Sequence, residues 1–169
     1  GRVALRTRLE AESRILWAEM RHPDRACYTP ELVGESRRYQ LSLMERFAGA
    51  SRSEMPFSWL VWTSDTPGVF SLGGDLTTFT QTIRDQDRER LTRYSHQCID
   101  VLYDNYYGLH LPVVSVALVR GDAVGGGFES MLSNDVVIAE RGAKFVLPEV
   151  LFGLFPGMGG YSFLKRKLG

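Results

Sequence analysis

Three short stretches of this chain place flexible backbone next to a carboxylate. They are Phe70-Ser71-Leu72-Gly73-Gly74-Asp75, Gly125-Gly126-Gly127-Phe128-Glu129, and Leu147-Pro148-Glu149 running on to Phe155-Pro156-Gly157-Met158-Gly159-Gly160. Glycine has no Cβ, so peptide N–H groups in such turns can face a ligand and approach it closely. A helix starting after the glycines aims further unpaired N–H groups the same way. Two such turns facing each other could hold the oxygen of a thioester carbonyl as it becomes an enolate, with glutamates at hand to move protons. Taken singly, each feature also has a plainer reading. Gly73-Gly74 is the kind of pair that makes an ordinary turn, and a glutamate near a helix start serves as a capping charge.

Other chemistries lack their signatures. Gly125-x-Gly127 is followed at the third position by Ser130, which breaks the dinucleotide fingerprint, and there is no Gly-Lys-Ser/Thr phosphate loop. No Gly-x-Ser-x-Gly elbow occurs. His22, His96 and His110 lie apart and beside no acidic cluster, so no metal site is expected. Cys27 and Cys98 have neither knuckle nor redox-pair spacing and read as two small core or surface thiols.

The surrounding elements must position these turns. Val3 to Leu9 and Arg14 to Met20 alternate apolar with polar residues and predict a hairpin. Pro30 opens a helix whose apolar residues are Leu32, Val33, Leu41, Leu43, Met44 and Phe47. Ala48 to Pro56 reads as a linker, and Phe57 to Thr63 as a buried strand ended by the turn Asp65-Thr66-Pro67-Gly68. Asp75 is assigned no chemistry and caps the helix that follows it. Asp87 to Tyr107 predicts a long amphipathic helix, with Leu91, Tyr94, Cys98, Val101, Leu102 and Tyr106 near one stripe and Pro112 ending it. Val113 to Val119 is a second core strand, Gly121 to Gly127 a loop, Phe128 to Leu132 a short helix and Val136 to Ala139 a third strand. Alternating strand and helix favours an α/β fold with parallel strands, whose active groups sit on loops at the strand ends.

Composition sets the outer bounds. With 169 residues, 44% hydrophobic and 24% charged, the chain fits one globular domain spanning 1–169. Lys+Arg and Asp+Glu both number 20, so no basic stripe suggests nucleic acid as a partner. The longest apolar stretch, Leu111 to Val119, is broken by Ser115 and far too short to span a bilayer, and the N-terminus has no apolar signal core. A cytoplasmic location with no membrane partner is the expectation. The missing initial methionine, and the stop at Lys167-Leu168-Gly169 inside a helix beginning near Gly160, read as a fragment truncated at its C-terminal end.

In order and separation, Phe70 to Leu76, Val113 to Glu129 and Phe145 to Gly160 resemble the oxyanion-hole and two-glutamate segments of the crotonase (enoyl-CoA hydratase/isomerase) superfamily. Gly-Gly-Gly-Phe-Glu, Leu-Pro-Glu-Val-Leu-Phe and Leu-Phe-Pro-Gly-Met-Gly resemble its diffusible signal factor synthase branch, as do Arg25-Ala26-Cys27-Tyr28 and Leu72-Gly73-Gly74-Asp75-Leu76. The resemblance implies a crotonase-like spiral core of ββα units, with C-terminal oligomerisation helices missing from this chain. By position, the Gly74 and Gly126 amides would form the oxyanion hole and Glu129 and Glu149 the acid/base pair, in an order that the residues leave open. Leu72 would border the pantetheine arm; Val124 and Met158 would line the acyl pocket, with core packing an equal reading for Met158.

The implied activity is dehydration of a 3-hydroxyacyl thioester on acyl carrier protein to a cis-2-enoyl product, then thioester hydrolysis to release a signalling fatty acid. No cofactor is expected beyond the acyl carrier protein or CoA that carries the substrate. A homo-oligomer, trimer or dimer of trimers, is the implied assembly. Two other readings stay open: an enoyl-CoA hydratase of fatty-acid breakdown, and a crotonase-like binding module without turnover.

Overall fold

Two strands, β1 (Leu5–Glu10) and β2 (Ile15–Met20), pair antiparallel as the expected hairpin. The computed structural model describes residues 4–22 and 24–169, so Val3, part of the expected first strand, lies outside the described residues. Helix α1 (Pro30–Arg46) begins where Thr29 accepts a hydrogen bond from the Leu32 amide and Pro30 occupies the first turn. Its buried face is Leu32, Val33, Ser36, Gln40 and Leu43. Leu41 is instead 45% exposed. The polar Gln40 takes the inward place because its side-chain amide donates to Val101 O at 2.9 Å.

Strand β3 (Trp59–Ser64) starts two residues later than the expected one, after Phe57, whose ring meets Phe47 edge-on at 5.7 Å. Strand β4 (Gly68–Ser71) follows directly. Helix α2 (Leu76–Arg84) is capped by Asp75, which accepts from the Thr77 amide, and α3 (Arg88–Tyr106) by Asp87, which accepts from the Arg90 amide. Pro112 does not terminate α3. The helix stops at Tyr106, and a 3-10 turn over Gly108–His110, with Leu109 and His110 at positive φ, redirects the chain first.

Strands β5 (Val114–Val119) and β6 (Gly121–Val124) come next, then α4 (Gly126–Leu132), β7 (Val136–Ala139), β8 (Phe145–Val146) and α5 (Gly160–Leu168). The expected loop over Gly121 to Gly127 is therefore corrected: its first half is a strand, and its last two glycines open a helix. Gly121 makes the strand possible. With φ 130 and no Cβ it lies against Gly68, where a Cβ would stand 2.0 Å from the Gly68 carbonyl carbon.

These elements build two sheets. The larger has the order β1-β2-β3-β5-β7, parallel throughout except for the hairpin; the smaller has the order β4-β6-β8 and is wholly parallel. Each repeating unit sends one strand to each sheet and then a helix: β3-β4-α2, β5-β6-α4 and β7-β8-α5. This is the spiral of ββα units in an α/β, crotonase-like fold. The core between the layers includes Leu60, Phe70, Ala117, Val119 and Ala123, none measurably exposed. Helices α1 and α3 pack together and are joined by the ion pair Arg37–Asp104. Among the described residues, no helix is long and apolar enough to cross a membrane.

Candidate active site

Because β4, β6 and β8 run parallel, their carboxyl ends share one edge of the small sheet, and ligands of open parallel sheets bind outside such an edge. Ser71 leads into Leu72-Gly73-Gly74, Val124 into Gly125-Gly126, and Val146 into Leu147-Pro148-Glu149. Backbone bonds from Ala123 N to Lys144 O (2.9 Å) and from Gly125 N to Val146 O (2.7 Å) hold the third strand against the second.

The first two turns press together without side chains between them. At Gly73, φ is 88, and a Cβ there would lie 2.7 Å from Val124 O and 2.8 Å from Gly126 N. A Cβ on Gly126 would lie 3.5 Å from Gly74 N, so both amides border one small volume. Gly126 is the first residue of α4, where a backbone N–H has no partner within the helix. Among the described residues, neither the Gly74 nor the Gly126 amide has a protein acceptor. Gly127 has a different task. A Cβ there would fall 2.2 Å from Ser71 O, so this glycine lets α4 sit directly on the end of β4.

Both glutamates border the same region. Glu129 is 1% exposed, and its Oε1 accepts hydrogen bonds from the amides of Met158 (2.9 Å) and Gly160 (2.8 Å). Burial is the largest influence on this carboxyl and raises its pKa above the ordinary glutamate value; the Gly160 and Met158 amides pull the other way, and the charge of Glu149 adds to the rise. Glu149 is the second residue of the 3-10 turn Pro148–Phe152. Its Oε1 lies 2.7 Å from where a Gly125 Cβ would stand, and its buried Oε2 has no hydrogen-bond partner among the described residues. Gly125, with φ 55 and ψ −125, meets both the backbone demand and this contact. The arrangement combines two free amides, a buried carboxyl whose pKa is raised and a second carboxyl with an unpartnered oxygen. It can stabilise an oxyanion while protons enter and leave beside it.

The remaining expected residues lie around this centre. Leu72 is 50% exposed beside the first glycine turn, its amide donating to Ala26 O at 2.6 Å. Val124 is half-buried and its carbonyl packs against Gly73. Met158 packs on the core, and its sulfur lies 2.6 Å from the position of a Gly126 Cβ, beside the two amides. Cys27 and Cys98 are free and buried, with burial pushing their thiols up to about 11 and about 12. The two amides that hold Glu129 were not singled out from the sequence. The Gly-Met-Gly-Gly run was their only signal: at Gly160 a Cβ would stand 3.0 Å from Glu129 Oε1.

The enoyl-CoA hydratase/isomerase family profile matches residues 45–169. Among curated proteins, the chain is 36% identical over 110 residues to the fatty acid oxidation complex subunit alpha of Idiomarina loihiensis, covering 64% of this chain and 14% of that protein. It is 30% identical over 139 residues to the same subunit from Pseudomonas paraeruginosa, covering 82% of this chain and 19% of the relative. Among solved structures, Pseudomonas aeruginosa DspI superposes with a TM-score of 0.76 at 27% identity, covering 96% of this chain and 60% of that one. An enoyl-CoA hydratase from Bacillus halodurans gives 0.81 at 26% identity, with 96% and 60% covered. The chain thus spans a small part of these curated relatives and about three fifths of these solved chains.

Gly127→Ala drives a methyl into backbone and is expected to destabilise the protein by about 1–3 kcal/mol or more. Gly126→Ala meets only the movable Met158 thioether at under 3 Å, so its melting temperature is expected to stay near the parent's; equal melting of the two variants would contradict this packing. For Glu129, a raised folded-state pKa means that the folded protein holds more protons than the unfolded chain once pH exceeds the ordinary value of 4.5. Stability is therefore lost as pH rises from there through the folded pKa. Glu129→Gln should melt at or above the parent at neutral pH, the gap narrowing towards acid; a gap that widens in acid contradicts the assignment.

Proposed function

The chain belongs to the enoyl-CoA hydratase/isomerase family, and from that premise we propose that it dehydrates a 3-hydroxyacyl thioester to a cis-2-enoyl thioester and then hydrolyses the thioester. The observation that carries this reading is the convergence of the Gly74 and Gly126 amides on one volume flanked by Glu129 and Glu149. The thioester carbonyl oxygen accepts from both amides, which stabilise the negative charge it gains when the α-proton leaves. One such donor is worth about a hundred- to thousandfold in rate.

The two carboxyls divide the proton work by environment. Glu129 is buried, favours its protonated form, and has one oxygen tied to two amides, which leaves Oε2 to carry the proton. It is the acid that protonates the departing β-hydroxyl. Glu149, with an unpartnered Oε2, is the base that takes the α-proton. The Cα–H and Cβ–O bonds break, the double bond forms, and one water leaves; a proton passing from Glu149 to Glu129 through solvent restores the starting state. Leu72 borders the pantetheine arm, and Val124 and Met158 line the acyl channel. Hydrolysis then needs only a water activated by a glutamate beside the same polarised carbonyl, yielding a free 2-enoic acid and the carrier thiol.

Acyl carrier protein as carrier, and a fatty acid released as a signal, rest on the resemblance of the glycine and Phe-Pro-Gly-Met motifs to signal factor synthases. A self-associating assembly is supported by a run of exposed apolar residues beside the site, Val150, Leu151 and Phe155 being 68%, 84% and 76% exposed. The fatty acid oxidation relatives favour a second reading, hydration of a trans-2-enoyl-CoA by the same four groups. Incubation with 3-hydroxyacyl carrier protein, followed by assay for free cis-2-enoic acid, separates them. Release of that acid is the expected result, and activity confined to trans-enoyl-CoA hydration overturns the synthase reading. Glu129→Gln and Glu149→Gln are each expected to lower turnover by about 10²–10⁴-fold. Unchanged turnover in both would remove the two glutamates from the chemistry, and a parent protein without turnover on either substrate would leave only a binding role.

A further inference from the structure

The turn that carries Gly74 is attached to the segment before α1 by a short parallel ladder. Leu72 N–H donates to Ala26 O (2.6 Å) and Tyr28 N–H donates to Gly73 O (2.8 Å), with Tyr28 bridged to Gly74. In a regular parallel ladder the next rung joins Asp75 N–H to Tyr28 O. Here the Tyr94 hydroxyl, reaching in from α3, occupies that rung. It accepts from the Asp75 amide at 2.9 Å and donates to Tyr28 O at 2.5 Å.

Resting on the function read above, we propose that Tyr94 is a positioning residue for the oxyanion hole: its hydroxyl, inserted between Asp75 N–H and Tyr28 O, sets the Gly74–Asp75 turn at the spacing that leaves the Gly74 amide facing the volume it shares with Gly126. The insertion holds the Asp75 amide one hydroxyl away from the Tyr28 strand. Gly74, which the bridge pairs with Tyr28, is thereby held at a fixed distance from that strand. The ring is held as firmly as the hydroxyl. Tyr94 is 4% exposed and meets Phe79 edge-on at 5.6 Å, and an added Gly74 Cβ would touch Phe79 Cε2 at 3.1 Å and the Tyr94 oxygen at 3.9 Å. Gly74 therefore rests on a floor made by these two rings. Asp75 secures the other side: its carboxylate is buried, accepts from the Thr77 amide and the Thr78 hydroxyl, and pairs with Arg25.

Tyr94 does not itself move protons for the reaction. Its one hydroxyl proton is directed to Tyr28 O, and burial raises its pKa far above the working range, so it stays neutral. Its contribution is geometric. A small displacement of a transition-state donor costs rate far more than it costs substrate binding, because negative charge builds on the oxygen only as the α-proton leaves.

The test is Tyr94→Phe, which keeps the ring and deletes only the oxygen. With a 3-hydroxyacyl thioester, kcat is expected to fall about ten- to hundredfold, less than the hundred- to thousandfold of losing a donor outright. KM should stay within about twofold, and the pH–rate profile should keep its shape, since no titrating group is removed. A lower melting temperature with kcat equal to the parent's shows a purely structural tyrosine and overturns the proposal. If Tyr94→Phe does not fold, 4-aminophenylalanine at position 94 fills the same volume and still donates to Tyr28 O but accepts poorly from Asp75. The same loss confined to kcat is expected there, and parental kcat overturns the proposal. A parent protein that turns over neither a 3-hydroxyacyl nor a 2-enoyl thioester overturns the functional reading itself, and this inference with it.

Discussion

Parallel pairing of three very short strands is the constraint on which the site depends. Strands β4, β6 and β8 hold four, four and two residues, too few to be stable alone, and each is the second strand of a unit whose first strand lies in the large sheet. Since all three run the same way, the loops after them must emerge along one edge. Close approach then requires missing side chains at particular places. Gly121 lets β6 come up to β4, Gly73 lets the first turn touch the second, and Gly127 seats α4 on Ser71. The two free amides are brought together by the way the sheet packs.

The carboxyls follow from the same geometry. Glu129 lies on the first turns of α4, so seating that helix buries it, and the chain returning to α5 brings the Met158 and Gly160 amides onto one of its oxygens. Burial of an acid is unfavourable to its charged form, and the two amides offset only part of that effect. What is unfavourable for a charged side chain is useful for a proton donor: the carboxyl keeps its proton at a pH where an exposed glutamate would have lost it. Neutral groups, among them the Tyr94 hydroxyl and the Phe79 ring, pack around the Gly74 turn together with the Asp75–Arg25 ion pair.

Much of this could be read before any coordinates. The hairpin, the helix opened by Pro30, the strand through Leu60 and the long helix after Asp87 all carry periodicity or helix-start signals over six residues or more. The residues alone showed three turns that pair glycine with a carboxylate, and the resemblance of their segments to the crotonase superfamily pointed to Gly74, Gly126, Glu129 and Glu149 within them. What escaped was the small sheet. A strand of two to four residues has too short a run for alternation to register, and glycine at Gly121 reads as loop until a second backbone is placed against it. The inward turn of Gln40 in place of Leu41 depends on the Val101 carbonyl of another helix, and the clasp on Glu129 joins residues 29 and 31 positions apart. Tertiary partners decide such features, and local pattern does not contain them.

The most direct test of this account is a crystal structure of the protein with a non-hydrolysable acyl thioester analogue bound. The account predicts the analogue's carbonyl oxygen within about 2.7–3.1 Å of both the Gly74 and Gly126 nitrogens, its α-carbon facing Glu149 and its β-carbon facing Glu129. A carbonyl held by one amide or neither, with the acyl chain lying away from the two glutamates, would contradict it.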